Sequence, residues 1–477
     1  ATQTSVAVYS AMVDAIKQAG GDVDALTKSI EYEAPAEAVV ECEVVVVGAG
    51  GAGLLAAIEL QNAGVDVILI EKEGIFGGTT LTASTYVYGY GTSVHEKAGI
   101  KMTAQQYYDG LVNLAFPRLV ATAPDMAMKY AEIVPPTLEN YMTYGADLTN
   151  LIDGMFEMGP ADGSTVGGTL VPALIAEAER LGVDMRANTK AVSLIQKDNA
   201  VTGVVVDTKG GQYEIHADAV IMATGGFQQN KDMVAQYLPE YANYGTTYSV
   251  GSTGEGMQMC EEVGGYLNAM NIVQINPTGF RVENADNLIS FSNFRYYGCI
   301  LVGRSTGTRF ANELGDYTAI ASAMPEGKAY AIFDEAVFQS SGAIQEYYDL
   351  GYIVKADTLE ELAGKLELDV ETLKDTMAKY AATATAGVDE EFGRNLFPSD
   401  LTTAPYYAAP VEPVLHNHTG GVATDARGQA LAKADNSVIP GLYVVGTAAD
   451  NTLQPMATFS FPYARLVVEC VIEDLAK

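Results

Sequence analysis

The sequence predicts an α/β protein in which a mixed domain of helices and strands is inserted into a domain built on a parallel sheet. Residues 43–47 form an apolar β-branched run that leads into a glycine-rich turn, an apolar helix and a second apolar run. Residues 273–415 lack this alternation and combine strands with an acidic helix and many tyrosines, and from residue 416 the alternation returns. We therefore expect an N-terminal extension and linker (1–40), a first domain in two parts (41–272 and 416–477) and an inserted domain (273–415).

The elements of the first domain can be taken in order. Residues 1–40 predict one or two short helices and a linker, because Gly20 and Gly21 stop the first helix and 31–37 is charged and contains a proline. Residues 43–47 predict a strand buried on both faces, 54–63 an apolar-faced helix, and 65–70 a second strand. Together they predict one βαβ unit.

The later elements are assigned from shorter patterns. They are a hairpin of 191–207 and 212–217, a buried strand at 219–223, an acidic helix at 358–385, a strand at 441–445 and a final helix from about residue 463.

Composition excludes several classes of function. The 477 residues contain 60 Asp and Glu against 27 Lys and Arg, a net charge of -33 that repels nucleic acid and anionic lipid. The four cysteines form no CxxC pair, so no iron–sulfur cluster or other metal site is predicted. No run of eighteen apolar residues is present, so we expect no membrane-spanning helix.

The glycine-rich turn has the spacing of a dinucleotide-binding site. Gly48, Gly50 and Gly53, with Gly51 and Ala52 between them, fit G-x-G-x-x-G after a buried strand and before a helix. The first glycine permits the turn, the second lets the backbone approach a pyrophosphate, and the third lets helix and strand pack closely. Glu71 ends the second strand, where a carboxylate can accept hydrogen bonds from ribose hydroxyls.

Further small-residue segments favour FAD over NAD. They can approach a diphosphate and a flavin closely, and their residues are Lys72, Gly77, Gly78, Thr79, Thr80, Thr224, Gly225, Gly226, Gly446 and Thr447. The loop after Gly78 contains no histidine, so we expect FAD to be bound non-covalently.

With these motifs the chain resembles the fumarate reductase/succinate dehydrogenase flavoprotein superfamily over about residues 43–477. The resemblance rests on VVVVGAGGAG, EKEGIFGGTT, ATGGF, STGEGM, TGTRFANE, HTGGVATD and GLYVVG, in that order. It implies a Rossmann-like FAD-binding domain with an inserted α+β capping domain, and hydride transfer between flavin N5 and a carbon–carbon bond. It also implies further FAD contacts, at Ala83, Ser84, Ala191, Val192, Gly254, Glu255 and Gly420.

The chain departs from the dicarboxylate reductases of this superfamily where those enzymes bind substrate. Tyr317 stands at the position of their proton-donating arginine, no arginine lies between residues 451 and 459, and Asn276 stands where they have a histidine. Arg295 remains, either as a single anion contact or as a structural ion pair. The site has therefore lost most of its positive charge.

The same positions resemble the 3-ketosteroid dehydrogenases. That resemblance implies that Tyr317 exchanges the substrate proton. A phenol needs a nearby cation or hydrogen-bond donor to act as a base, and Arg295 and His418 are the candidates. The tyrosine that polarises the ketone in that subgroup is Phe459 here, so Tyr463 is a substitute candidate for the hydroxyl. Arg309 is expected to hold the capping domain together.

Three functions stay open from the sequence. The first is an anaerobic ene-reductase, or in reverse a desaturase, acting on a neutral or monoanionic, largely apolar substrate such as an enone. The second is a respiratory reductase of an unsaturated carboxylate, aryl acrylate or fumarate-like, and the third is a non-catalytic flavin electron-transfer subunit. No CxxCH haem motif is present, so we expect a separate redox partner. Ala1 in place of a methionine suggests a removed segment, a targeting peptide or a tag, and leaves an exported and a cytoplasmic location open.

Overall fold

The computed structural model describes residues 38–83, 86–152, 154–282, 288–450 and 457–477, and six positions between 13 and 21. Side chains at 292, 293 and 457–460 are not described. The predicted extension at 1–40 and the predicted FAD contact Ser84 lie largely or wholly outside the described residues.

Strands and helices alternate through the first part of the chain and are mixed in the middle. The strands are β1 (Val39–Val47), β2 (Val67–Ile70), β3 (Val87–Tyr88), β4 (Asn150–Leu151), β5 (Glu157–Gly159), β6 (Asp184–Arg186), β7 (Lys190–Lys197), β8 (Ala200–Thr208), β9 (Gly211–Met222), β10 (Gly245–Thr246), β11 (Leu267–Asn268), β12 (Val273–Phe280), β13 (Ile289–Ser290), β14 (Ile300–Gly303), β15 (Ala329–Asp334), β16 (Val354–Ala356), β17 (Tyr406–His418), β18 (Gly421–Val422), β19 (Gln429–Leu431) and β20 (Val438–Val444).

Helices flank these strands. They are α1 (Gly51–Asn62), α2 (Ser93–Lys97), α3 (Ala104–Tyr107), α4 (Asn113–Ala115), α5 (Pro117–Thr122), α6 (Pro124–Thr143), α7 (Val166–Leu181), α8 (Lys231–Tyr237), α9 (Glu255–Glu262), α10 (Ser292–Tyr297), α11 (Tyr317–Ala323), α12 (Glu335–Phe338), α13 (Gly342–Asp349), α14 (Leu359–Leu366), α15 (Val370–Ala386) and α16 (Ala457–Leu475). A π-helical turn spans Tyr108–Val112, and 3₁₀ turns span Gly78–Thr82, Pro239–Tyr241, Pro325–Gly327 and Gly446–Ala448.

A parallel sheet forms the centre of the first domain. Its strands run in the order β19-β20-β9-β1-β2-β6, and β1 is parallel to both of its neighbours. One apolar core packs on each face of this sheet, the first with α1, α6, α7 and α16 and the second with α8 and α9. The predicted α/β class is confirmed, including burial of Val44–Val47 on both faces.

The predicted break between strands 212–217 and 219–223 is wrong. β9 runs without interruption for 12 residues, pairing with β8 and also, through Ala219 and its neighbours, with β1. Asp218, which separates the two predicted strands, is exposed, and the strand continues through it. The second arm of the predicted hairpin and the central strand are therefore one element. The first arm, 191–207, is also wrong as a single strand, because the chain turns at Asp198 and Asn199 and forms the antiparallel pair β7 and β8.

The inserted region forms its own sheet around β17, in the order β13-β12-β17-β15-β14, and encloses a third apolar core. The predicted acidic helix is two helices, α14 and α15. Glu367 has φ 57° and Asp369 caps α15 through its side chain, so the chain turns between them. β10 and the end of β17 lie beyond the expected limits of 273–415 yet pair within this sheet, and the domain boundaries stay predictions. Within the described part of the chain no helix is long and apolar enough to cross a membrane.

Candidate active site

A cavity of about 590 Å³ lies at the carboxyl ends of the central strands and extends under the inserted domain. Val47 and Ile70, the last residues of β1 and β2, line it together with Ala223, which follows β9. Ligands of doubly wound sheets bind at this edge. Leu288 and Tyr347 line it from the inserted domain, so both domains enclose the space.

The glycine turn shapes the floor of the cavity. Gly48 has φ 100°, and a Cβ there would lie 2.6 Å from the carbonyl oxygen of Ala223. A Cβ at Gly53 would lie 1.9 Å from the carbonyl oxygen of Gly48, so helix α1 packs directly on the turn. At Gly50 a Cβ would meet nothing within 4 Å, and the N–H of Gly51, the first residue of α1, donates to the hydroxyl of Thr80 at 3.2 Å. The turn thus leaves open space in front of a helix N-terminus, which fits the pyrophosphate of FAD.

Carboxylates and lysines line the part of the cavity where we expect the adenosine half of FAD. Glu71 is 8% exposed and accepts a hydrogen bond from the backbone N–H of Ala49 at 2.8 Å. Glu255 receives Lys190 at 2.6 Å and Lys72 at 2.7 Å. Burial opposes ionisation of Glu255, but the hydrogen bonds from both lysines outweigh it and lower its pKa to about 2. Among the described residues no group of His, Cys, Asp and Glu could hold a metal ion.

Most residues expected to contact FAD line the cavity. They are Gly48, Gly50, Gly51, Ala52, Glu71, Lys72, Gly78, Thr79, Thr80, Ala83, Ala191, Thr224, Gly225, Gly254, Glu255, Gly446 and Thr447.

The other expected contacts lie behind this lining and pack against neighbouring chain. A Cβ at Gly77 would lie 2.6 Å from the Leu81 side chain, and one at Gly420 would lie 2.5 Å from the backbone of Ala269. Gly53, Val192 and Gly226 are likewise outside the lining. The glycines among these positions are required by close packing around the cavity.

Four phenols converge on the boundary between the domains. Tyr86 lines the cavity, and its hydroxyl lies 3.1 Å from that of Tyr88. Tyr317 begins α11 and hydrogen-bonds the hydroxyl of Tyr296. Burial, then the charge of neighbouring phenols, raises the pKa of Tyr86 and Tyr296 above that of a free phenol, so both remain protonated at neutral pH. We call Tyr86, Tyr88, Tyr296 and Tyr317 the phenol cluster.

Arg295 lies against this cluster. Neither Arg295 nor Tyr317 is among the residues that line the cavity, and part of the hydrogen-bonding capacity of Arg295 is unused. The residue is 0% exposed, and its guanidinium carbon is 4.0 Å from the ring centroid of Tyr317. Its Nη1 donates to the carbonyl oxygen of Glu313 at 2.8 Å, while Nε and Nη2 find no acceptor within the described residues. A buried cation with two such donors is suited to an anion.

An ion network fixes the backbone around Arg295. The carboxylate of Glu313 receives Arg309 at 2.8 Å and Arg394 at 3.1 Å, and Arg309 also pairs with Asp389. Arg394 donates to the carbonyl oxygen of Arg295 at 3.1 Å. The expectation that Arg309 holds the inserted domain together agrees with these contacts.

Of the two histidines of β17, His416 lines the cavity and the predicted His418 does not. His418 is fully buried outside the cavity lining, with Nδ1 2.6 Å from the amide nitrogen of Gln228, and burial lowers its pKa to about 4. His416, which the sequence gave no reason to choose, lines the cavity and lies 2.9 Å from the hydroxyl of Thr247. Burial and the Arg295 charge lower its pKa to about 4. Residues two apart in a regular strand point to the same side of the sheet. The pairing of β17 with β12 has a β-bulge opposite Gln274 and Ile275, which interrupts this alternation, so His416 and His418 have different surroundings.

Tyr463 does not lie at the cavity. Its side chain is 1% exposed and stacks on Phe116, with ring centroids 5.8 Å apart, in the core between α16 and the helices beside it. Its placement supports a packing role, and we do not retain it as an active-site candidate.

Sequence reasoning missed Tyr86, Tyr88 and Tyr296 as well as His416. A signal was present for the first two, since Tyr86 and Tyr88 are two residues apart and therefore share a face of an extended chain. Tyr296 is adjacent in sequence to Arg295, and only the fold brings it to Tyr317.

Comparison with known proteins agrees with this geometry. The family model described as FAD binding domain matches residues 43–458. A fumarate reductase (cytochrome) of Shewanella frigidimarina is 35% identical over 426 residues, covering 85% of this chain and 71% of that protein. A urocanate reductase of Eggerthella lenta is 28% identical over 493 residues, covering 95% and 77%. The open conformation of a flavocytochrome c3 fumarate reductase superposes with a TM-score of 0.74 at 27% identity, covering 92% of this chain and 79% of that one.

A side chain at position 50 tests the assignment of the pyrophosphate site. Gly50 has φ -69°, and its Cβ would meet no protein atom, so Gly50→Val is expected to fold normally. The valine would occupy the space that we assign to FAD, and we expect FAD content after purification to fall roughly 10-fold or more. Gly364→Val, also in open space but on α14, is the matched control. Equal FAD content in both variants, with unchanged circular dichroism, would place the cofactor elsewhere.

The buried His418 predicts a pH dependence of stability. Because its folded pKa of about 4 is below the value of about 6.5 in an unfolded chain, the unfolded state binds the proton first. Stability is therefore fully present above pH of about 6.5 and is lost as pH falls toward about 4, by up to about 1 kcal/mol per pH unit. The free energy of unfolding, measured in urea at several pH values between 7 and 5, should show a shallower slope against pH in His418→Gln than in the wild type. The variant His216→Gln, at a partly exposed histidine, should keep the wild-type slope. An unchanged slope in His418→Gln would contradict the assignment.

Proposed function

We propose that this chain, which belongs to the FAD binding domain family and is a FAD-dependent oxidoreductase acting on carbon–carbon bonds, reduces the activated double bond of an unsaturated monocarboxylate. The remainder of the substrate is largely apolar or aromatic. The observation that supports this most is Arg295, a buried cation with Nε and Nη2 unused by the described residues and in contact with Tyr317. The two relatives named above are reductases of fumarate and urocanate, and urocanate combines a single carboxylate with an aromatic ring.

Charge balance argues for one carboxylate rather than two. Arg309 and Arg394 lie within the same region but are already paired with Glu313, and Arg309 also with Asp389. A second buried carboxylate would need a cation of its own, since an unpaired buried charge costs several kcal/mol. We therefore expect a dicarboxylate such as fumarate to be a poorer substrate than a monocarboxylate.

Different residues of the chain have different roles in the proposed reaction. FAD, held along the glycine turn and by Glu71, supplies the hydride when it is bound and reduced. Arg295 binds the substrate carboxylate and so fixes the position of the adjacent double bond. Tyr317 donates its hydroxyl proton to the carbon next to the carboxylate, and the hydrogen bond from Tyr296 stabilises the phenolate that results. The overall change is one hydride and one proton added across the double bond.

A neutral enone is the second candidate substrate. Tyr86 lines the cavity, and we propose that its hydroxyl donates to a ketone oxygen, which would polarise the double bond without any cation. In both cases we propose that FAD is non-covalently bound and that a separate redox partner delivers the electrons.

The first experiment follows reoxidation of the reduced flavin. The protein is reduced with dithionite under anaerobic conditions, and flavin absorbance is followed after adding an aryl acrylate, its methyl ester, fumarate or a steroid enone. We expect the aryl acrylate to reoxidise the flavin fastest and Tyr317→Phe to abolish the reaction. Arg295→Met should lower kcat/KM for the acrylate roughly 10- to 100-fold and change the ester reaction little, because only the acid has a charge for Arg295 to bind.

Two controls make this experiment decisive. Arg295→Lys keeps a positive charge and should retain part of the acrylate activity. Arg281→Met removes an arginine paired with Glu412 at the surface and should leave every rate unchanged. Faster reoxidation by the ester or the steroid enone in the wild type would support the neutral substrate, and faster reoxidation by fumarate would contradict the charge argument.

A further inference from the structure

Each turnover of the proposed reaction consumes one proton at Tyr317, in a cluster of partly or fully buried phenols. A phenol that has given up its proton must regain one before the next turnover. Tyr296 and Tyr86 can pass a proton on, but burial keeps both protonated, so neither is its original source. A carboxyl group that reaches both the cluster and solvent would be such a source.

Glu157 has this position. It is the cross-strand partner of Tyr88 in the pairing of β5 with β3, which places the two side chains next to each other. Tyr86 lies two residues before Tyr88, its ring centroid 4.9 Å from that of Tyr88, and the two hydroxyls are 3.1 Å apart. The charge of Glu157 acts on Tyr86, whose neighbours also include Tyr317. Tyr88 is likewise close enough to Tyr296, the hydrogen-bond partner of Tyr317, to raise the pKa of Tyr296.

A second, polar cleft of about 370 Å³ begins beside Glu157, since Ile152, whose backbone N–H donates to the carbonyl oxygen of Glu157 at 2.8 Å, lines it. Tyr297 lines this cleft, hydrogen-bonds Ser341 and is close enough for the charge of Glu157 to affect it. Asp162 and Gln339 at the cleft are exposed, so the space reaches bulk solvent. Glu157 itself is half-buried, so its carboxyl group has access to solvent on a side of the protein where no described residue lines the FAD cavity.

We propose that Glu157 is the entry point for the proton that Tyr317 delivers, and that Tyr88, Tyr86 and Tyr296 relay it. The inference rests on the proposed function, in which Tyr317 is the acid. As the new C–H bond forms, the O–H bond of Tyr317 breaks and its oxygen recovers a proton from the neighbouring phenols. Those phenols are reprotonated by the carboxyl group of Glu157, which takes a proton from solvent in the cleft. The hydride comes from reduced FAD, so one hydride and one proton are consumed for each double bond reduced.

The test separates proton delivery from substrate binding. Reduced protein is mixed in a stopped-flow instrument with the alkene that reoxidises it fastest, across a range of pH and in H₂O and D₂O. Glu157→Gln should slow reoxidation roughly 10-fold or more, with an unchanged half-saturating substrate concentration and a larger solvent isotope effect. The pH dependence that the carboxyl group contributes should be lost, and Glu157→Asp should restore part of the rate. Asp218→Asn, an exposed strand carboxylate on β9, is the matched control and should behave as wild type.

Two further variants keep the outcomes distinguishable. Tyr88→Phe breaks the relay without touching the carboxylate and should reproduce the kinetic effect of Glu157→Gln, including the larger isotope effect. Wild-type rates in Glu157→Gln and Tyr88→Phe, alongside an inactive Tyr317→Phe, would overturn the relay and leave the proposed function standing. If Glu157→Gln changed the half-saturating substrate concentration and left the maximal rate unchanged, the relay would also be overturned. An active Tyr317→Phe would instead refute the proposed function itself.

Discussion

The arrangement at the domain boundary depends on compensation of one buried charge. Arg295 is fully buried, and the described protein satisfies it through the carbonyl oxygen of Glu313 and the face of the Tyr317 ring. These contacts leave Nε and Nη2 available, and the low dielectric of the surroundings makes an added anion valuable there. The network of Glu313, Arg309 and Arg394 keeps the backbone in place and takes up the neighbouring positive charge. A substrate with one carboxylate would complete this balance.

Two domains contribute different parts of the site. The parallel sheet supplies the glycine turn, the helix N-terminus and Glu71, which fit FAD, while the inserted domain supplies Arg295 and Tyr317. The phenol cluster joins them, since Tyr86 and Tyr88 come from the first domain and Tyr296 from the second. Relative placement of the domains therefore decides whether hydride and proton can reach the same double bond.

Local chemistry explains which parts could be predicted from sequence. The turn at Gly48 and the carboxylate of Glu71 depend on short-range rules, and the structure places both at the cavity. Gly53 was expected for close helix packing, and its Cβ would indeed meet the carbonyl oxygen of Gly48. Arg295 and Tyr317 were identified through family resemblance and lie together, with 4.0 Å between guanidinium and ring centroid.

Features that depend on tertiary structure could not be predicted from the sequence. The single strand β9 pairs with three different strands along its length, β1, β8 and β20, which local sequence pattern cannot show. His416 and His418 are two residues apart on β17, and packing against Thr247 or Gln228 decides which of them reaches the cavity. Tyr463 occurs in an apolar helix, and its ring is used in the core against Phe116.

The most direct measurement is the affinity of the oxidised protein for an aryl acrylate and for its neutral amide, from the change in flavin absorbance on binding. The two ligands have nearly the same shape and differ in charge. If Arg295 is an anion site, the acid should bind roughly 10- to 100-fold more tightly than the amide, and Arg295→Met should remove the difference. Equal affinity of acid and amide in the wild type would contradict the account, since it would mean that Arg295 does not bind the substrate carboxylate.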